Sequence, residues 1–379
     1  MKEKLFLILT VCLVSCGGLA QSNNVSTESE KKTVKSKSAQ QPAIKNEVFE
    51  ESANEISVSE AQSSILNQAS LNIEKILGEV RQRNESKNPT SKQQQKLNIE
   101  LAKIESVNKY SFEYYLYNYR ISNYDFSKFD DLKAAEQLRP NHPQVIKEMT
   151  AYHYINAHEK EFREYLNKLK MGGYYSFVLN DFAGDMLKSL PQNAVLITHG
   201  EEDTYPILIQ QYLNNIRKDV SVVSLNYLQS EVYRNKLRDN GISIPSGDYI
   251  DHEFFHSLLI KNKGKEFIAS SSIPSVYFDK IRSDIGVNGL GFQLKKELSS
   301  SERRKMIDKF ENDIKIGLEK KINSGQYRTV LSNYLPMLFE IRNYWIDENN
   351  ANERMYIEKL ILDIGRQTNK TELVKKLLK

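Results

Sequence analysis

The segment Asn193-Ala-Val-Leu-Ile-Thr-His-Gly200 is the clearest indication of the fold, because it is a short apolar run closed by a turn. Such a run is typical of a strand that is buried on both faces. We expect a helix next, with Pro206 in its first turn and its end near Lys218. Val220-Ser-Val-Val-Ser-Leu225 then predicts a second strand. Strand, helix and strand joined by short links predict a parallel sheet with right-handed crossovers.

The same alternation continues further along the chain. A third strand is predicted at residues 265–270 and a final extended piece at residues 289–294. Helices are expected at residues 227–239, about 251–261 and 274–283. We therefore place a small three-layer α/β domain with a parallel sheet at residues 174–298.

Helices are predicted on both sides of this domain, at residues 59–173 and 299–379. Before it, apolar residues recur at three- and four-residue steps from Ser59 to about Val80, and another helix is expected at residues 91–108. After it, the same helical spacing continues almost to the C-terminus. The chain should therefore be helical wherever it lies outside the sheet domain.

Residues 110–170 have large and small side chains at repeating positions. These are Phe112, Tyr115, Tyr119, Leu132, Ala135 and Pro140. The spacing resembles tetratricopeptide repeats, in which paired helices stack and proline closes the unit. The chain departs from that pattern at Tyr115-Leu116, where Leu-Gly is usual, and Lys128 stands near the expected alanine. A generic helical bundle is the alternative. The predicted fold class is α/β plus all-α, a small parallel-sheet domain flanked by tetratricopeptide-like and other helical segments.

An apolar run and a cysteine mark the N-terminus. Lysines precede the run Leu5 to Val14, which at about ten residues is too short to span a bilayer. Leu-Val-Ser then leads into Cys16, an order that resembles a bacterial lipoprotein signal, whose cysteine receives the lipid. We predict a signal peptide at residues 1–15 and acylation of Cys16. The alternative is an ordinary secretory signal that is cleaved near Ala20 and leaves Cys16 without a role.

Residues 16–58 are predicted to form a flexible tether between the lipid and the folded body. They are rich in Ser, Asn, Gln, Lys and Glu and contain few aromatic residues. Such a composition cannot bury enough apolar surface to offset the entropy of the chain. No acidic cluster of the kind that marks surface export follows Cys16. We expect a membrane lipoprotein of the cell envelope, at the periplasmic face of the outer membrane.

Composition excludes several classes of protein. The sequence has 53 Lys and Arg against 49 Asp and Glu, and a net charge of +4 is too mild for a dedicated nucleic-acid binder. Its two cysteines, Cys12 and Cys16, exclude a disulfide-rich scaffold and a Cys-ligated zinc site. No run of about 20 apolar residues, the length that a membrane-spanning helix needs, occurs in the sequence.

A set of residues between about 180 and 296 carries a family resemblance. They are Leu190, Pro191, Asn193, Ala194, Gly200, Asp203, Thr204, Pro206, Ile216, Arg217, Asp219, Val220, Val222, Val223, Leu225, Gly289, Leu290, Phe292 and Leu294. Together they resemble the soluble C-terminal part of a Bacteroidota-type family of uncharacterised membrane proteins, whose N-terminal halves look like protein mannosyltransferases. The chain differs at Glu201-Glu202, where Asp-Asn is usual, and at Leu208 and Ile209, where an aromatic pair is usual. The sequence contains no counterpart of the membrane-embedded half. The resemblance implies a fold and a membrane-associated setting, and no established activity.

The turn after the first strand is a candidate ligand-binding site. Its polar residues are His199, Gly200, Glu201, Asp203 and Thr204. Ligands of open α/β sheets bind beyond the carboxyl ends of the strands. Carboxylates there can hold a hard cation or sugar hydroxyls, or act in acid–base catalysis. The favoured alternative is that Asp203 or Thr204 caps the following helix, whose dipole the acidic side chains also complement.

A second candidate is His252-Glu253-Phe-Phe-His256, which fits the H-E-x-x-H pattern. On a helix this spacing places two imidazoles on one face for zinc, with Glu253 as a general base. The further histidine that extends this motif in some zinc proteases does not follow, and the two histidines lie at the edge of an apolar stripe. We therefore favour the absence of a metal. An incidental metal site and a zinc protease are the alternatives.

These features together predict a lipid-anchored, periplasm-facing binding or scaffold protein of an outer-membrane, secretion or envelope assembly. Its partners would be proteins and the membrane, with no cofactor and no nucleic acid. Helical pairs offer a surface for a partner, and a long tether extends the reach of the body. The alternative is a module that binds or hydrolyses a glycan or peptide through residues 199–204 or 252–256. The sequence leaves open whether the protein is an enzyme, and the scaffold interpretation favours that it is not.

Overall fold

The structure is a computed structural model that describes residues 59–82, 86–295 and 297–379. The predicted signal peptide, Cys16 and the tether at residues 16–58 lie outside the described residues. No helix in the described ranges combines the length and the apolar character that crossing a membrane requires.

Seven α-helices and one 3₁₀ turn, Phe126–Lys128, precede the first strand in the described part of the chain. The α-helices are α1 (Glu60–Gln82), α2 (Ser91–Asn108), α3 (Phe112–Arg120), α4 (Phe129–Leu138), α5 (Pro143–Ile155), α6 (Glu159–Met171) and α7 (Phe177–Ser189). The predicted bounds of the first two helices are confirmed within two residues. Consecutive helices pack in pairs, α1 on α2, α3 on α4 and α5 on α6. The helical character predicted for residues 59–173 is therefore confirmed.

A five-stranded sheet occupies the middle of the described chain. Its strands are β1 (Val195–Thr198), β2 (Ser221–Ser224), β3 (Phe267–Ser270), β4 (Gly286–Asn288) and β5 (Gly291–Gln293), in the order β2-β1-β3-β5-β4. The intervening helices are α8 (Glu201–Tyr212), α9 (Glu231–Asp239) and α10 (His252–Lys261). β1 is fully buried and runs parallel to both β2 and β3. The parallel sheet predicted from the two decisive stretches is therefore confirmed for these three strands.

The other two strands are antiparallel, so the prediction of an entirely parallel sheet is wrong. The piece predicted as one extended run at 289–294 is instead the turn and second strand of a hairpin, whose β4 and β5 pair with each other while β5 pairs with β3. Gly289 makes the turn with a φ of +61°, and an added Cβ would lie 2.6 Å from the carbonyl oxygen of Ser189. The backbone N–H of Leu290 donates to Ser189 Oγ at 3.0 Å. Contact with the end of α7 therefore fixes a reversal that local apolar spacing does not reveal.

Two helix predictions near the sheet need correction. α8 begins at Glu201, so Pro206 lies five residues inside it and not in its first turn. The helix ends at Tyr212, six residues before the predicted end at Lys218. Its end follows from the chain path, because Asn215 and Arg217 take left-handed backbone angles that no helix continues. The helix predicted at residues 274–283 is a single 3₁₀ turn, Ser275–Phe278, whose backbone bonds span three residues rather than four.

Helices return after the sheet, as predicted for residues 299–379. They are α11 (Ser300–Lys309), α12 (Lys315–Ser324), α13 (Arg328–Leu331), α14 (Leu335–Asp347), α15 (Ala351–Gln367) and α16 (Thr371–Leu378), with a π-helical turn between α11 and α12. One buried core includes both the sheet and these helices, and so crosses the boundary predicted at residue 298. A buried ion pair between Lys321 and Asp185 joins α12 to α7, and Tyr334 donates to the same carboxylate at 2.7 Å.

Candidate functional site at the carboxyl ends of the strands

Asp203 lies at the centre of the turn after β1. Its carboxylate accepts hydrogen bonds from the backbone N–H of His199 at 2.9 Å and from the hydroxyls of Ser270 and Ser272 at 3.0 and 2.5 Å. Ser270 ends β3 and Ser272 follows it, and the carboxyl end of β3 lies beside that of β1. Burial raises the pKa of Asp203, although these hydrogen bonds act in the opposite direction. The parallel strands thus bring together residues that are almost 70 positions apart in the chain.

The capping role proposed for Asp203 or Thr204 is wrong. Gly200 is the N-cap residue of α8, and no side chain caps that end. Asp203 is the third helical residue, and its carboxylate accepts a hydrogen bond from the backbone N–H of His199, the residue before the N-cap. Thr204 is buried in the core, where its hydroxyl lies 2.8 Å from the Thr198 hydroxyl. The polar side chains therefore join the helix to the strand rather than terminating the helix.

Lys87 enters this cluster from the segment between α1 and α2. Its side chain is completely buried, and its Nζ donates to the carbonyl oxygen of Arg81 at 2.6 Å. The same Nζ lies 2.6 Å from Nε2 of His199. Burial lowers the pKa of Lys87 to about 7, although the negative charge of Asp203 opposes the shift. An amine whose pKa is far below that of an exposed lysine is therefore in contact with an imidazole at the edge of the sheet.

The backbone around Lys87 is attached to the chain that leads into α10. The N–H of Lys87 donates to the carbonyl oxygen of Ile250 at 3.0 Å, and Ser86 forms an isolated antiparallel bridge with Asp251. Asn88 completes the attachment: its side-chain amide donates to Asp248 and accepts from the Ile250 N–H. Residues 86–88 therefore occupy the edge of the sheet at which ligands of open α/β folds usually bind.

Glu201, the first residue of α8, pairs with two cations from other helices. Arg81 Nη1 lies 2.7 Å from one carboxylate oxygen and Lys147 Nζ lies 3.0 Å from the other. Burial alone would raise the pKa of Glu201, but Lys147 and Arg81 outweigh it and lower the value to about 2. Glu202 points outward and is exposed. Of the two glutamates in the turn, the less exposed one, Glu201, is neutralised by the protein itself.

The Arg81 guanidinium extends this network toward the helical pairs. Its Nη2 lies 2.9 Å from Glu148, whose side chain is 3% exposed. Glu148 also accepts from Arg120 Nε at 3.1 Å, and Arg120 pairs with Glu74. A buried charge without a partner is costly, so alternating signs are the arrangement that burial of these side chains requires. The network joins α1, α3 and α5 to the first residue of α8.

The H-E-x-x-H residues are not arranged as a metal site. His252 is the first residue of α10, and Glu253 has 66% of its side chain exposed and pairs with Lys280 at 2.6 Å. Asp251 caps the helix by accepting from the Glu253 and Phe254 amides. Within residues 59–82, 86–295 and 297–379 no group of three or more His, Cys, Asp or Glu could hold a metal ion. Within the described ranges, His252 and His256 are thus not joined by a third residue of these types.

Sequence reasoning placed the turn residues correctly but missed the cations that surround them. Lys87 lies in a polar stretch that indicates only a break between two helices. It contacts His199, which is 112 residues further along the chain. Arg81 and Lys147 lie on helices whose apolar spacing does not indicate a buried charge. A single sequence contains no local signal for such long-range pairs.

Several residues that carry the family resemblance serve the fold. Arg217 donates to the backbone carbonyl oxygens of Leu187, Leu190 and Pro191 at 2.7–2.9 Å and pairs with Asp219. The Arg217 guanidinium lowers the pKa of Asp219, which also accepts from the backbone N–H of Asn193. This group fastens the end of α7 to the loop before β2. These contacts give Arg217 and Asp219 a structural role.

Comparison with known proteins bears on the region that contains this site. No curated protein and no solved structure matches the chain significantly. A family match covers the chain from within α7 to within α10, and so includes β1, the 199–204 turn and β2. Residues 179–257 match the family described as TMEM260-associated domain 2.

Proposed function

We propose that this protein is a binding or scaffold protein of a membrane-associated envelope assembly, held at the periplasmic face by a lipid on Cys16. The observation that carries the proposal is that the acidic turn is occupied by the chain's own cations. Glu201 is neutralised by Arg81 and Lys147, at 2.7 and 3.0 Å. The strongest candidate for a ligand site is thereby used to join the helical pairs to the sheet.

The other polar groups of the turn support the same proposal. A general base must be able to reach the proton that it removes, and a nucleophile must be accessible to its substrate. Asp203 already accepts three hydrogen bonds within the chain, and Lys87 is completely buried. The role of these groups is to hold two parts of the fold together.

Partner binding is assigned to the helical pairs before the sheet. We propose that these pairs are tetratricopeptide-like, a class whose stacked helices form extended binding surfaces. Leu71 on α1 is 64% exposed and Met171 at the end of α6 is 77% exposed, so apolar contact points are available on both. The match over residues 179–257 to TMEM260-associated domain 2 agrees with the family resemblance of this region, and no activity is transferred from it.

The test is affinity purification of the full chain from detergent-solubilised membranes, followed by mass spectrometry. We expect protein partners in fixed stoichiometry, loss of the partners with Leu71→Glu or Met171→Glu, and no loss with the exposed-turn variant Glu202→Ala. Cys16→Ala should leave the membrane fraction. A chain that elutes alone, with zinc that disappears in His252→Ala, would contradict the scaffold proposal and favour a hydrolytic module.

A further inference from the structure

An open groove of about 700 Å³ lies between the start of α2, the turn after α3 and the loop before α10. We call it the amide groove. Its walls include the side chains of Asn88, Gln94, Gln95, Asn98, Asn123 and Tyr249. The groove is separate from the 199–204 turn, and none of the turn residues lines it. It is large enough for several sugar-sized units.

The groove has the chemistry of a site for an uncharged, hydroxyl-rich ligand. A side-chain amide both donates and accepts hydrogen bonds, as a hydroxyl does, and five of the eleven described residues that line the groove are Asn or Gln. None of those eleven is Lys or Arg, so phosphate and nucleic acid would find no opposite charge there. Asp248 adds one carboxylate, 93% exposed, which lies 3.6 Å from the Arg234 guanidinium and has further lone pairs that can accept from hydroxyls.

Tyr249 supplies the apolar surface that such a ligand also needs. Its side chain is 57% exposed, although a tyrosine usually buries most of its ring. An aromatic face can cover the C–H face of a sugar ring, while the phenol hydroxyl stays in water. Amides with an exposed tyrosine therefore match both faces of a pyranose.

Hydrogen bonds hold the groove in place. Asn88 donates to the carbonyl oxygen of Asp248 at 2.8 Å and accepts from the Ile250 N–H at 2.9 Å, so it fixes the loop that carries Tyr249. Gln94 donates to Asn98 at 3.1 Å. Groups that are positioned before binding lose less entropy when a ligand arrives.

We propose that the amide groove binds a neutral oligosaccharide, with Tyr249 stacked against one ring and Gln95 and Asn98 bonded to hydroxyls. This proposal does not rest on the scaffold function. A chain that binds no protein partner could still bind sugar, and a chain that binds no sugar could still bind a protein partner. The sugar-binding proposal and the scaffold proposal are therefore tested by separate experiments.

The experiment is titration calorimetry of the full chain, purified in detergent, with cellohexaose, chitohexaose, laminarihexaose and mannohexaose. Heparin and an uncharged peptide rich in Ser, Gly and Tyr serve as probes of the other ligand classes. We expect at least one neutral hexasaccharide to bind, and Tyr249→Ala to weaken it about ten-fold or more. Gln95→Ala, on an exposed helix position, should weaken it less.

The matched control is Tyr110→Ala, which removes another exposed tyrosine, 66% exposed and outside the groove. It should leave binding unchanged, and the thermal midpoints of all three variants should equal that of the parent chain. Should Tyr249→Ala fail to fold, Gln95→Ala carries the test alone. Failure of all four neutral hexasaccharides to bind overturns the proposal, whether or not heparin or the peptide binds, as does sugar binding that Tyr249→Ala and Gln95→Ala leave intact.

Discussion

The buried amine of Lys87 makes a specific prediction about stability and pH. Burial lowers the pKa of this lysine to about 7 in the folded chain, whereas a lysine in an unfolded chain has a pKa of about 10.4. Between these two values the unfolded chain carries a proton at Lys87 that the folded chain lacks. Stability should therefore rise with pH through this window, and fall as the pH is lowered toward 7.

The size of the effect follows from the two pKa values. From about pH 7.5 to about pH 9.5, one proton bound only by the unfolded chain changes the free energy of unfolding by about 2.5 kcal/mol. The comparison needed is between the parent chain and Lys87→Met, which keeps the length of the side chain and removes the amine. Other groups that titrate in this range are common to both chains and cancel in the difference. Lys87→Met should gain about 2.5 kcal/mol relative to the parent as the pH falls across this range.

Urea unfolding at several pH values measures this difference. Trp345 is the single tryptophan of the sequence, and its fluorescence reports on unfolding. Lys359→Met is the control, because that lysine side chain is 70% exposed. Its difference from the parent chain should stay constant. A Lys87→Met difference that is equally flat, within about 0.5 kcal/mol, would refute the burial of a neutral amine beside His199.

Two further substitutions test the joints of the fold by the same unfolding measurement. Arg81→Met should lower the free energy of unfolding by about 1.5–3 kcal/mol, because it removes the cation that Glu148 and Glu201 share and leaves each carboxylate with one other cation. A loss no larger than that of Lys359→Ala, expected within about 0.5 kcal/mol, would show that the network is solvated. Gly289→Ala should cost about 2 kcal/mol or more, because of the left-handed φ of +61° and the 2.6 Å approach to the Ser189 carbonyl. Gly264→Ala meets no atom within 4 Å and is the control, so equal losses for both glycines would contradict the proposed turn geometry.

Elements whose apolar residues follow one period could be predicted from the sequence. β1 and β2 are short buried runs, and α1 and α2 show clear helical spacing, so their bounds were correct within two residues. The β4–β5 hairpin could not be predicted, because its turn at Gly289 depends on a contact with Ser189, a hundred residues earlier. The 3₁₀ turn at 275–278 has helix-like apolar spacing, and spacing alone does not distinguish a helix from a series of tight turns.

The position of the candidate site could be predicted from the sequence, but the role of its residues could not. The carboxyl end of a parallel strand is where polar residues gather, and the turn at 199–204 does lie there. The chemistry of the turn depends on Arg81, Lys87 and Lys147, which arrive from other helices. The sequence suggested that Glu201 binds an external cation, whereas in the structure it pairs with the side chains of Arg81 and Lys147.

The attachment of residues 86–88 to residues 248–251 affects the order in which the protein can be completed during synthesis. Asn88 and Ile250 are 162 residues apart, and a ribosome that adds about 5–20 residues per second needs about 8–30 seconds to cover that interval. Throughout this time α1 and α2 have been synthesised, but the loop at residues 248–251, to which residues 86–88 attach, has not. The segment with Lys87 must wait unburied until Ile250 has emerged. A chaperone that shields the α1–α2 connection during that interval would therefore act on a state that the finished fold no longer contains.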